Sequence, residues 1–486
     1  MTAPADFPDW ISPMLVKELR QGMRARAFLI SFLALQGALI LLTVISLSNS
    51  KAGEDTTAAT VFYWLIICIP LLLVMPFSGL NAISSERKEN TLELIFLSRL
   101  SPRRIAAGKW LAIVAQSALL VSAILPYAVL RYYMGGVDLI ANLEALGWLL
   151  LGSAALTSVT IAVSSGQSVV RRGFSIIAFV MILFWLFGLL SSGAFGFALF
   201  SSGGGSGIPI WRQLTACFLL AALFLFSMIE FAAGKLAPDA VNHSSSRRLA
   251  AFAVLLVCCC YTTLLPGVWW LWLGSAFILI PTCIGAVCEP VRDVPSVYRP
   301  FQRFGFPGRV LAMPLYPGWP GGVLFLLIAL GVVFLAPHGP FSGLSGAAGR
   351  HARLGDSVRL RVMIATAGSF LLPAAVLRLP RVRSLPPAVF FISFQGACGL
   401  VAALTSSLAG ESGTDGEPLA ASIPFCHLLM SGNMASWPKS SVAFSASGEA
   451  AATAASILAL FIMMIPEWRK IFAMQRAFKR DASKPV

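Results

Sequence analysis

Cysteine and histidine are the first side chains to test for chemistry. The nine cysteines are Cys68, Cys217, Cys258, Cys259, Cys260, Cys283, Cys288, Cys398 and Cys426, and all but Cys426 lie in or at the ends of apolar runs. No CxxC pair occurs, which argues against a zinc site or a disulfide framework. The Cys258-Cys259-Cys260 run points three ways round a helix and reads as small apolar packing. The four histidines, His243, His338, His351 and His427, are far apart in sequence. Cys426-His427 is adjacent but has no third ligand or orienting carboxylate nearby, so an ordinary loop pair is the better reading. Phosphate chemistry is equally thin. No G-x-x-x-x-G-K-[ST] occurs, and Gly108-Lys109-Trp110 and Gly234-Lys235-Leu236 lack both the upstream glycine and the hydroxyl residue. The run SSGGGSG at 201–207 has no lysine and reads as a flexible loop.

The elements that hold these residues follow from composition. The chain has 486 residues, of which 57% are hydrophobic and 12% charged. Soluble domains carry roughly 25% charged residues, so the class left is an all-α polytopic membrane protein. Runs of membrane-crossing length number about twelve, at 28–48, 61–80, 110–134, 143–165, 174–200, 210–233, 249–265, 268–287, 321–336, 361–378, 387–408 and 448–466. An even number places both termini on one side. With that side inside, most of the 36 Lys and Arg fall in inside segments, as the positive-inside rule requires. One outside loop, 337–360, dissents with Arg350, Arg353 and Arg359. The net charge of +15 is therefore a topology signal. It forms no basic stripe with interleaved aromatics, and no nucleic-acid partner is expected.

Two inside segments have a pattern of their own. Before the first span, Ser12-Pro13 supplies a hydroxyl cap and a proline at the first helical position. Ile11, Met14, Leu15, Leu19 and Met23 then recur at helical spacing, with Lys17, Arg20, Arg24 and Arg26 mostly on other faces. Residues 1–27 thus read as an interfacial amphipathic helix, its apolar side in membrane lipid. The loop at 81–109 is the most charged inside loop: Glu86, Arg87, Lys88, Glu89 and Glu93, then Arg99, Arg103, Arg104 and Lys109. Asn90 can cap a short helix with Glu93 as its box partner, and Leu92, Ile95 and Phe96 share one face. Ser101-Pro102 opens the next helix as Ser12-Pro13 opens the first. Such a short apolar helix can lie among headgroups or dock in a groove of a cytoplasmic partner.

This loop resembles the coupling region of ABC-2 type transporter permeases, in which an ERE-x-GTLE-like run is followed by apolar residues, a Ser/Thr-Pro element and a Gly-Lys. The matching residues are Glu86, Arg87, Glu89, Thr91, Leu92, Glu93, Leu94, Ser101, Gly108 and Lys109. Asn90 stands where glycine is usual and Arg99 where proline is common. Val16, Lys17, Glu18, Leu19 and Arg20 are similar to that family's opening, and the resemblance extends over about residues 10–235. It implies a six-helix membrane domain at 28–235, with a coupling helix between the second and third spans. It also implies an ATPase-coupling surface made of Glu86, Arg87, Glu89, Thr91, Leu92, Glu93, Phe96, Ser101 and Pro102. The chain would then be a transport subunit rather than an enzyme. It would hold no cofactor, because ATP and Mg sit on a separate cytoplasmic ABC ATPase. Export is the usual direction, and the multi-pass chain would lie in a bacterial cytoplasmic membrane with both termini inside.

Residues 236–466 carry no motif of that family, and 467–486 form a basic tail. The second half's corresponding loop, 288–320, has Pro290, Pro295, Pro300, Pro307, Pro314, Pro317 and Pro320 and no TLEL-like run. One coupling site per chain is therefore expected, in a homodimer or a heterodimer with a related permease. A membrane glycosyltransferase would need acids in an external loop, and Glu54-Asp55, Glu411, Asp415 and Glu417 have no spacing signature. An ion-coupled transporter would need buried ionisable groups, and Glu230 is the clear in-span acid.

Overall fold

The computed structural model describes residues 13–49, 56–83, 86, 101–134, 138–165, 210–237, 242–265, 270–291, 298, 310–335, 352–379, 387–412, 422–424, 426 and 439–482. Among these the chain is helical and contains no strand. It divides into two compact units, Met1–Ala237 and Pro238–Val486. Seven helical stretches are long and apolar enough to cross a membrane: Arg26–Ser48, Ala59–Leu80, Pro102–Met134, Leu139–Ser164, Leu214–Leu236, Ser244–Leu264 and Ser447–Arg476. Shorter apolar helices lie at Ile278–Cys288, Trp319–Phe334 and Met363–Leu377. This is the architecture of a multi-pass membrane protein. The expected span at 174–200 lies outside the described residues.

The first unit holds α1 (Pro13–Met23), α2 (Arg26–Asn49), α3 (Thr56–Cys68), a π-helical stretch (Ile69–Val74) and α4 (Met75–Ala82). It continues with α5 (Pro102–Met134), α6 (Leu139–Ser164) and α7 (Ile210–Leu236). Pro70 sits at the start of the π-helical stretch. A proline removes an amide donor and crowds the preceding turn, which such a local widening accommodates. The core is one cluster in which Leu120, Ile124 and Ala128 of α5 meet Tyr63, Ile67 and Leu71 of α3 and the π stretch, and Leu146 and Ile161 of α6. α2 instead exposes Leu29, Ile30, Leu33, Leu41 and Val44, the profile of a helix whose outer face meets lipid.

Within lipid, helices gain little from hiding apolar groups, so close backbone approach by small residues takes over. α6 supplies these at Ser153, Thr157, Thr160 and Ser164, all buried on one face. Ser117 and Ser153 hydroxyls lie 3.2 Å apart between α5 and α6. The Trp110 indole donates to the Ala154 carbonyl at 2.9 Å. A β-carbon at Gly79 of α4 would lie 2.4 Å from Thr160 Oγ1. Most of the hydroxyls turn back on their own helix, as Thr157 does to the Ser153 carbonyl at 2.7 Å, so the polar stripe is internally satisfied.

The second unit holds α8 (Ser244–Leu264), α9 (Trp270–Cys288), a 3₁₀ turn (Met313–Leu315), α10 (Trp319–Leu335), α11 (Ala352–Leu377), α12 (Pro387–Ser412) and α13 (Lys439–Ala482). α11 packs along α13, and α9 packs on α8 and α10. α11 begins well before the apolar run at 361–378, so Arg353, Arg359 and Arg361 occupy its first turns. Two of the three dissenting outside arginines, Arg353 and Arg359, thus belong to a helix whose apolar stretch starts only at Met363. The tightest crossing is at Gly322 of α10, where a β-carbon would stand 2.0 Å from the Ala286 carbonyl oxygen of α9. That neighbour is backbone and has no rotamer in which to retreat. Gly322→Ala is expected to destabilise the protein by about 1–3 kcal/mol through overpacking. Thermal unfolding of the detergent-solubilised variant checks this, and an unchanged midpoint would contradict the crossing.

The turn at 313–318 is anchored chiefly by one side chain of α8. Arg248 lies in the second turn of α8 and is 0% exposed. Its Nη2 donates to Glu289 Oε2 and to the Gly318 carbonyl, both at 2.9 Å. Its Nη1 donates to the Pro314 carbonyl at 3.1 Å and to the Tyr316 carbonyl. Ser244 donates to the other oxygen of Glu289, and Ser245 donates to the Leu315 carbonyl. Prolines deny residues 313–318 a regular hydrogen-bond ladder, and the guanidinium takes over the carbonyls left without donors. Tyr316 then stacks with Tyr298, packs edge-on against Trp468 and accepts a hydrogen bond at its hydroxyl from Gln475 at 3.2 Å.

Candidate functional site

The loop that carries the resemblance leaves the first unit after α4 and returns at α5. Arg87, Glu89, Thr91, Leu92, Glu93 and Phe96 lie outside the described residues. Glu86, Ser101 and Pro102, at the loop's two ends, are described. At the departing end the Ile83 amide donates to Ser164 Oγ, the last residue of α6, at 3.0 Å. At the returning end Pro102 is the first residue of α5. There the Arg104 amide reaches the Ser101 hydroxyl at 3.4 Å, the geometry of an N-terminal cap.

Two turns further along α5, Lys109 is 3% exposed. Its ammonium donates to Glu86 Oε1 at 2.8 Å and to Glu18 Oε1 at 3.0 Å. Glu18 lies on α1 and Glu86 at the departing end of the loop, so one buried cation joins three separate segments. α1 packs along α5, with Leu15, Val16 and Leu19 half-buried, while Lys17, Arg20, Gln21 and Arg24 are exposed on its other side. The half-buried leucines are part of the face that sequence periodicity assigns to lipid; Met23 of the same face is exposed.

A second ion pair sits at the returning end. Arg103 Nε lies 2.6 Å from Glu230 Oε1 of α7, and Glu230 is 5% exposed. The first turn of α5 carries two arginines where the helix dipole is positive, an unfavourable placement that a buried carboxylate offsets. Glu230, the in-span acid visible in sequence, is thus held by a cation of the same loop. The sequence also passes over Glu449 in α13, which is 1% exposed inside a stretch long enough to span a membrane.

The Lys109 ammonium is engaged by two carboxylates. Cys426 donates its thiol to the Cys398 carbonyl at 3.1 Å, and burial pushes the thiol up to about 11, so it is not a nucleophile near neutral pH. His427 lies outside the described residues. Among the described residues, no cluster of three His, Cys, Asp or Glu could hold a metal ion. The arrangement ties α1, both ends of the loop, α5 and α7 together.

Fold and site define a polytopic helical membrane protein with a charged clasp at one end of its first unit. No family model matches the chain, and neither a curated protein nor a solved structure matches it.

Proposed function

We propose that the chain is the membrane subunit of an ATP-binding cassette transporter of the ABC-2 type, driven by a separate cytoplasmic ATPase. One observation carries this reading: the Glu18–Lys109–Glu86 clasp. It joins the three stretches on which the resemblance rests, namely the VKELR opening, the acidic start of the loop and the Gly-Lys after it. A push on the loop at 87–100 would pass through Glu86 and Ser101 into α1 and α5, which is the task of a coupling element. The first compact unit ends at Ala237, where the resemblance also ends. In this reading the chain has about twelve spans and both termini in the cytoplasm of a bacterial cell. It works as a homodimer or a heterodimer with a related permease, because only the first unit carries a coupling loop. The substrate is exported.

The docking residues are Leu92, Glu93 and Phe96. Leu92→Glu or Phe96→Glu is expected to abolish co-purification of the ATPase while membrane insertion is kept. Full retention of the ATPase by both variants would reject the assignment. A second reading, ion-coupled transport, is favoured by Glu449 alone, a buried acid in a membrane-length helix. It predicts transport that follows an ion gradient and needs no ATPase.

A further inference from the structure

The end of the first unit opposite the clasp has a half-buried cation of a different kind. Arg131 stands in the last turn of α5, on the same stripe as Leu120, Ile124 and Ala128, so it crowns the core cluster. Its Nη2 donates to the Thr60 hydroxyl at 2.8 Å, and its guanidinium lies 4.0 Å over the centroid of the Tyr63 ring. Among the described residues Arg131 makes no ion pair. Its Nη1 is buried and has no hydrogen-bond partner. In the first turn of α6, across the α5–α6 connection, Asn142 is 5% exposed and its Nδ2 is also buried without a partner. Leu146, one turn further along α6, belongs to the same buried cluster as Tyr63 and Ala128. Both open donors therefore crown one end of one core.

A buried donor nitrogen on a half-buried guanidinium is costly to leave without an acceptor, and an anionic oxygen compensates its charge where a neutral water does not. The fork is already oriented, by Thr60 at one nitrogen and by the tyrosine face beneath it, and the free nitrogen awaits an anionic oxygen. The next two residues of α5, Tyr132 and Tyr133, are exposed, as aromatic residues are at headgroup depth. We propose that this end of the first unit is a binding site for a phosphate oxyanion, held by Arg131 with Asn142 as a further donor. The phosphodiester of a phospholipid headgroup and free phosphate share this chemistry. The inference does not depend on ATP-driven transport.

The full chain, purified in a nonionic detergent, is loaded with phosphatidylglycerol, and the lipid retained is counted by native mass spectrometry with and without inorganic phosphate. Arg131→Gln removes the cation. Thr60→Asp keeps the cation but sets a competing carboxylate where the hydroxyl now accepts from Nη2. Each variant is expected to retain on the order of tenfold less of the tightly held lipid, the effect of losing a charge-assisted contact. Loss in the variants without displacement by inorganic phosphate identifies a lipid headgroup as the ligand. Displacement by inorganic phosphate identifies the free anion. A folded Thr60→Asp protein that holds as much phosphatidylglycerol and as much phosphate as the parent overturns the proposal, even if Arg131→Gln does not fold.

Discussion

Lys109→Met is expected to cost about 3–5 kcal/mol of stability, the range for removing one partner from a buried ion cluster. Methionine fits the space but leaves Glu18 and Glu86 facing each other with no cation between them. Both carboxylates are largely shielded, so repulsion and incomplete hydration add to the lost attraction. The damage should be local in its first stage. α1 loses its tie to α5, and the loop loses its departing anchor. Thermal unfolding in detergent reads the stability, and limited proteolysis after α1 and near Glu86 reads the release. The triple change Glu18→Gln, Glu86→Gln, Lys109→Met should recover part of the loss, because no charge is then left buried. A single variant as stable and as protease-resistant as the parent would show that the clasp holds nothing.

Arg248→Met should be the other large effect, again about 3–5 kcal/mol. The substitution leaves Glu289 buried beside Ser244 and takes the donor from the Pro314, Tyr316 and Gly318 carbonyls together. Arg248→Lys keeps the charge but has one nitrogen in place of a planar fork. It can reach Glu289 or the carbonyls of the turn, not both sets, so it should recover only a minor part. The two variants separate charge from geometry. If lysine restored full stability, the guanidinium's span across the turn would not be what orders residues 313–318. Because that turn positions Tyr316 against Trp468, tryptophan fluorescence should shift with the loss of stability.

The helix starts were legible in the sequence. Pro13 and Pro102 both open helices because a proline at the first position loses no hydrogen bond. Seven of the twelve apolar runs are membrane-length helices among the described residues. The clasp was not legible as a clasp, although each of its members was visible. Glu86 and Lys109 stood in one motif and Glu18 in another, and the contact to Glu18 spans 91 residues of chain. No local periodicity encodes a meeting of that kind. Arg248 was hidden differently. It sits among the cations of an inside segment, and charge counting treats every such residue as solvated, whereas this one is fully buried. Arg131 could be read only as the end of a span, since its significance rests on Thr60 and Tyr63, which α3 brings to it. Glu449 was passed over because it falls at the edge of an apolar run, where an acid normally reaches water.

The clasp and the Arg103–Glu230 pair give the coupling proposal its physical content. Two tethers hold the loop's ends to α1, α5 and α7, so the proposal expects displacement at the loop to move the bundle. The most direct test is purification of the full chain from its native membrane under mild detergent, with every associated protein identified and counted. The account predicts a chain with Walker motifs at one copy per copy of a coupling loop, and ATP hydrolysis by the complex that Lys109→Met weakens. Recovery of a stable, transport-competent protein with no ATPase attached would contradict it.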